Sequence, residues 1–192
     1  MKSINYVIVE LDEAYINEEK LSTGDSLIIN TTIEDVNYIN RVATVKTAPT
    51  STILKQGDKV VVHHNIFRLR NNIKGGVSES NYDIGNGLYI VPLTEVFMYK
   101  RDDSDWIPIS PFCFIKPIKR VEKEGFDVNA SEDTHKGNVF RRGEVVHPNE
   151  ELIQQGIYKG DIIVFSDYSE YEFKIDGEVL YKMSTKDVLA KV

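Results

Sequence analysis

The chain has 192 residues, 41% of them hydrophobic and 28% charged, an ordinary balance for one large folded domain or two small ones. Its formal net charge of −7 and its lack of any dense Lys/Arg run argue against a phosphate-neutralising, nucleic-acid-binding role. No stretch approaches the ~18 consecutive apolar residues of a membrane-spanning helix, and Met1-Lys2-Ser3-Ile4 lacks the apolar core of a secretory signal peptide.

In chain order, the first predicted strand covers 5–10, where Tyr6-Val7-Ile8-Val9 is an aromatic and β-branched run. A polar stretch follows, including Asn17-Glu18-Glu19-Lys20, which is too polar to pack by itself. Further strands are predicted at 27–31, 40–46, 59–67, 87–91 and 96–100, with turn signals at Gly75-Gly76 and Gly85-Asn86-Gly87. Residues 102–111, acidic and then proline-punctuated, read as a linker between a first domain at 1–101 and a second at 112–192. Fully extended, such a linker spans about 35 Å at about 3.3 Å per residue. Trp106 and Ile107 inside it predict that it packs on a surface.

In the second half, strands are predicted at 112–118, 138–141, 161–166, 171–175, 178–183 and 188–192. Asp176-Gly177 is a tight hairpin signal, and Ser184-Thr185-Lys186-Asp187 has the composition of a cap on one helical turn. Cys113, the only cysteine, has no intramolecular partner; set between Phe112 and Phe114, it reads as a buried thiol of a reducing compartment.

The two halves echo each other. Gly57-Asp58-Lys59-Val60-Val61-Val62 reappears as Gly160-Asp161-Ile162-Ile163-Val164-Phe165, in each case a turn glycine, a solvated Asp and an apolar run entering a sheet. Tyr89–Phe97 parallels Tyr181–Leu189, Tyr6–Glu10 parallels Phe112–Lys116, and Arg41-Val42 is matched more weakly with Asn138-Val139. Four matches in one order predict a duplicated all-β unit whose loops differ in length.

Gly160–Phe165, Lys174–Leu180, Met183-Ser184 and Asp187–Ala190, in this order and spacing, are similar to the end of GroES co-chaperonins; the first half shares the layout but departs from it after Val62, through Arg70–Gly76. The resemblance implies an all-β chain of two GroES-like small, partly open β-barrels in tandem. Tandem co-chaperonins of chloroplasts share this layout, whereas the divergence suits a phage or bacterial source. The resemblance therefore implies the cytoplasm of a bacterium or of a phage-infected host, with the chloroplast as the other location. The implied function is to cap a GroEL-type chaperonin ring in an ATP-dependent cycle, with ATP held by the chaperonin and no cofactor on this chain.

In that family a loop after the first strand carries an apolar tripeptide that docks on the chaperonin. The resemblance places it here at Leu27-Ile28-Ile29, after Gly24, in a loop from about Asp12 to Asn37. Periodicity alone reads the same tripeptide as a buried strand. The second loop, from about Arg120 to Lys136, offers Phe126-Asp127-Val128 after Gly125; its central Asp departs from the apolar pattern, although alternation lets Phe126 and Val128 share a side. The family's ring contact implies a homo-oligomer whose edge strands are Tyr6-Val7-Ile8-Val9 and Val188-Leu189-Ala190, with 96–100 pairing with 112–118 inside the chain. The family's roof hairpin would fall at 45–57 and 142–160, both short.

Catalytic chemistry is not legible. His63-His64, on adjacent strand positions, would point to opposite faces, and no HExxH motif, cysteine cluster or phosphate-cradling glycine loop occurs. The chain reads as a non-enzyme. The alternative from another class is a structural or virion assembly protein built from the same tandem barrels, without chaperonin-binding loops.

Overall fold

The computed structural model describes residues 3–11, 15, 18–20, 24–28, 39–71, 76–119, 138–169 and 171–192. It divides into two compact units, Met1–Trp106 and Ile107–Val192. The first contains β1 (Tyr6–Glu10), β2 (Glu18–Lys20), β3 (Ser26–Ile28), β4 (Val42–Thr47), β5 (Lys59–Val62), β6 (Arg70–Asn71), β7 (Val77–Ser78), β8 (Leu88–Pro92) and β9 (Val96–Lys100). After β10 (Ile107–Pro108), the second contains β11 (Phe112–Lys119), β12 (Asn138–His147), α1 (Glu150–Gln154), β13 (Ile162–Phe165), β14 (Tyr171–Ile175), β15 (Glu178–Ser184) and β16 (Val188–Lys191).

Two six-stranded sheets dominate, antiparallel at every pairing described, and two short hairpins, β2–β3 and β6–β7, accompany them. The first sheet carries the run β9-β5-β4-β1-β8; the second is β14-β15-β11-β12-β13-β16. Read backwards, the second contains the same succession, with β16, β13, β12, β11 and β15 standing where β9, β5, β4, β1 and β8 stand in the first. The register agrees residue by residue. Ile8 faces Thr47 and Val9 faces Val45, with a bulge between Ile8 and Val9; Phe114 faces His147 and Ile115 faces Val145, with a bulge between Phe114 and Ile115. A second bulge, at Val61/Val62, recurs at Val164/Phe165.

The Gly-Asp repeat is also the same device twice. Gly57 and Gly160 both adopt left-handed backbone, φ 92 and 91, where a side chain is strained. The Gly57 amide donates to Val45 O at 2.9 Å and the Gly160 amide to Val145 O at 2.8 Å. Asp58 then accepts from the Lys55 amide at 2.8 Å, and Asp161 from the Tyr158 amide at 2.7 Å. Each aspartate turns the chain by capping an amide three residues back before the apolar run enters the sheet.

Val7, Val9, Val60, Val61 and Val62 have no exposed surface, so these β-branched runs are buried on both faces of their strands. The second unit buries Cys113, Ile115, Val145, Leu152, Ile157, Ile163, Phe165 and Met183 as one cluster, with Tyr181 and Val188 against it. The Asp176-Gly177 hairpin forms as expected, both residues having positive φ, between β14 and β15. So does the capped turn, in which Ser184 and Asp187 close a capping box on the 3-10 turn Thr185–Asp187.

Several expectations are corrected. The weak repeat of Val42 with Val139 is out of register: Val42 faces Val61 and Arg142 faces Val164, so Val42 corresponds to Arg142. The interval 142–160 holds no hairpin. β12 continues to His147, and Asn149 then caps α1 by accepting from the Leu152 amide at 2.9 Å, while Leu152 enters the core. The predicted strand 59–67 ends at Val62. His63 caps a 3-10 turn, His64–Ile66, which brings the two imidazoles together, stacked at 4.2 Å between centroids, instead of alternating them. Trp106 is buried as expected, whereas Ile107 is exposed.

Candidate functional site: an exposed apolar strand and its root

The segment after β1 leaves the sheet from a clasp of buried residues. The Leu11 amide donates to Gly87 O at 2.9 Å, and Gly87 allows this approach because a Cβ there would stand 3.0 Å from Leu11 O. Tyr15 and Ile39, on opposite arms of the segment, form an antiparallel bridge, and both are buried. The Tyr15 hydroxyl also accepts the Leu69 amide at 3.1 Å, tying this root to the chain beyond β5. Sequence reasoning missed this clasp, since two apolar residues so far apart leave no local pattern.

Beyond the root, β2 and β3 pair as a separate antiparallel hairpin: Glu18 faces Ile28, Glu19 faces Leu27 and Lys20 faces Ser26. Gly24, with φ 92, precedes β3 and lies in open space. Leu27 is 52% exposed and Ile28 64% exposed. Two adjacent, strongly exposed aliphatic side chains on a strand are not core, so the buried-strand reading of this tripeptide fails for both. Ile29 lies outside the described residues. Among the described residues β2 and β3 pair only with each other, and Leu27 and Ile28 give this hairpin an apolar surface.

The second loop opens where Lys119 faces Asn138. Gly125, Phe126 and Val128 lie outside the described residues. Of the strands expected at edges, β16 pairs among the described residues with β13 alone and leaves Leu189 and Ala190 exposed. β1 is narrower as an edge than expected. Tyr6 to Glu10 face β8 throughout, and Ile8, Val9 and Glu10 are also covered by β4, so within β1 Tyr6 and Val7 have a single strand neighbour among the described residues. β11 likewise has partners on both sides, β12 and β15, over Phe114 and Ile115.

Titratable groups here serve structure. Burial pushes the Cys113 thiol up to about 12, and it donates to Met183 O at 3.7 Å. Burial, with help from His63, Arg41 and Arg68, lowers His64 to about 4, leaving it neutral near pH 7. Among the described residues no group of three or more His, Cys, Asp or Glu is placed to hold a metal ion, and no helix is long and apolar enough to cross a membrane.

Residues 128–192 match the family described as the chaperonin 10 Kd subunit. The co-chaperonin GroES of Coprothermobacter proteolyticus is 32% identical over 90 residues, which cover 92% of that protein and 44% of this chain. The chain belongs to the GroES family. The co-chaperonin GroES of Thermotoga neapolitana is 36% identical over 90 residues, 94% of its length and 45% of this chain. One GroES length thus accounts for less than half of this family member. The stretch matched to the family includes Val128 and stops short of Gly125 and Phe126.

Proposed function

We propose that this chain is a co-chaperonin made of two GroES-like domains in tandem, which caps a GroEL-type chaperonin ring in an ATP-dependent cycle and assists protein folding. The observation that carries the reading is the exposed Leu27-Ile28 pair on β3, held out from a buried root. Family membership supports a co-chaperonin role. The repeated strand succession, bulges and Gly-Asp turns support the tandem layout. On this reading Leu27, Ile28 and Ile29 are the first chaperonin contact, Gly24 and Gly125 free the backbone ahead of the contacts, and Phe126 and Val128 are a second contact. The chaperonin binds the ATP. Weak contacts repeated round a homo-oligomer combine into firm but reversible capping. β16 and the Tyr6-Val7 end of β1 are the surfaces proposed to join copies into a ring. The bacterial cytoplasm is the proposed location.

Co-sedimentation with a GroEL-type ring, with and without ATP, tests the reading. Nucleotide-dependent binding that disappears in a Leu27→Ser, Ile28→Ser, Ile29→Ser triple variant is expected. Binding unchanged in that variant moves the contact to Phe126 and Val128. No binding under any nucleotide rejects the co-chaperonin reading in favour of a tandem β-sheet assembly protein.

A further inference from the structure

The apolar contact on β3 does not stand alone. In an antiparallel pair, directly opposed residues occupy the same face of the ribbon. The register pairs Glu18 with Ile28 and Glu19 with Leu27, so an acidic residue stands opposite each exposed aliphatic along the backbone ladder. Asp25, itself exposed, lies two residues before Leu27. The surrounding sequence continues the theme: residues 12–38 contain seven Asp or Glu against one Lys and no Arg, a net −6 within a chain of net −7. The corresponding stretch at 120–137 has five acids and three Lys or Arg, a net −2. Along the sequence, the stretch that carries Leu27 and Ile28 is thus far more acidic than its counterpart.

We infer that the first loop recognises a partner groove with an apolar floor and a basic, Lys/Arg-bearing rim, and that charge steers its docking. This rests on the proposed chaperonin contact and specifies its chemistry. A neutral apolar groove would be indifferent to the two glutamates, and an acidic rim would repel them. Desolvating Leu27 and Ile28 holds the complex together, whereas the carboxylates raise the rate of encounter and select the orientation. Such steering is screened over about 8 Å at physiological ionic strength, so it falls as salt rises. The less acidic second loop is expected to dock with weaker salt dependence.

The test measures association and dissociation of the full chain on a GroEL-type ring with ATP, across a salt series, for wild type, a Glu18→Gln/Glu19→Gln variant, a Glu18→Lys/Glu19→Lys variant and Leu27→Ser/Ile28→Ser. The glutamine variant is expected to lower the association rate by about 3- to 10-fold at low salt and to flatten the salt dependence, with dissociation little changed. Charge reversal is expected to lower it further. An unchanged rate and salt slope in the glutamine variant, or faster association after charge reversal, overturns the inference while leaving the chaperonin contact standing. Full binding by Leu27→Ser/Ile28→Ser overturns the contact, and the inference with it.

Discussion

Gly143 lies against Ile115: a Cβ on Gly143 would stand 2.6 Å from Ile115 Cδ1 and 3.0 Å from Lys116 O. In the first unit the position of Gly143 is taken by Ala43, and that of Ile115 by Val9, which has no δ-methyl. The second unit thus combines a residue lacking Cβ with a longer neighbour, where the first combines Ala43 with the shorter Val9. Gly143→Ala is expected to destabilise the protein by about 1–3 kcal/mol through overpacking. Ile115→Val in the same chain is expected to recover part of the loss. Urea midpoints of the two single variants and the double variant check this, and strictly additive losses would refute it.

Asp58, expected to be solvated, is instead buried and receives Arg101 Nε and Nη2, each at 2.8 Å, as well as the Lys55 amide. Burial pushes its pKa up, but the Arg101 and Lys55 hydrogen bonds and charges outweigh this and hold it below 3.8. Because the folded value is depressed, its contribution is complete above the unfolded value and is lost as pH falls through the folded one. Asp58→Asn is expected to cost about 1.5–3 kcal/mol at pH 7. Asp161→Asn, which breaks the more exposed pair with Lys191, is expected to cost less. Denaturation curves at pH 7 compare the two.

His64 sets a second, milder acid limit. Its folded pKa of about 4 lies below the ordinary 6.5, so the unfolded chain binds the extra proton between those values. Stability is expected to fall as pH drops from 6.5 toward 4, with a slope of at most about 1.4 kcal/mol per pH unit from this group. The charges acting on it are His63, Arg41 and Arg68, all of which disfavour its protonation. His64→Gln is expected to flatten the profile over that window, as read from unfolding free energies at half-unit pH steps.

Tyr15→Phe removes the acceptor for the Leu69 amide and keeps the ring in place. A loss of about 1–2 kcal/mol is expected from the stranded amide. Hydrogen exchange at Leu69 is expected to accelerate, while Leu27 and Ile28 stay exposed and competent. Chaperonin binding that fell as far as in the Leu27/Ile28 variants would show that the clasp does more than anchor.

What was legible in the sequence was what local chemistry dictates. Tyr6–Glu10, Val96–Lys100 and Tyr171–Ile175 are strands as expected, and Asp176-Gly177 and Ser184–Asp187 form the turn and the capped helical turn that their side chains favour. The cap at Asn149 carries a signal too, an Asn followed by two acids and a Leu. Register was not legible, because a match resting on Val42 and Val139 shifts by three residues without violating any pattern. The strand partners of β1 were not legible either, since covering Ile8–Glu10 from both sides depends on β4 and β8, far along the chain. At the site, an apolar tripeptide reads alike in a core strand and on an exposed hairpin. Only the exposure of Leu27 and Ile28 separates the two.

The bulges at Ile8/Val9 and Phe114/Ile115 act as a vernier between neighbouring strands. A strand with a fixed irregularity cannot slide by one residue without carrying the irregularity to where its neighbour has no room for it. Each half therefore keeps the same pairing on either side of its bulge, although β11 and β12 run on further than β1 and β4. Transplanting Tyr6–Glu10 into the place of Phe112–Lys116 is then a problem of matching side-chain volumes, not of realigning a sheet.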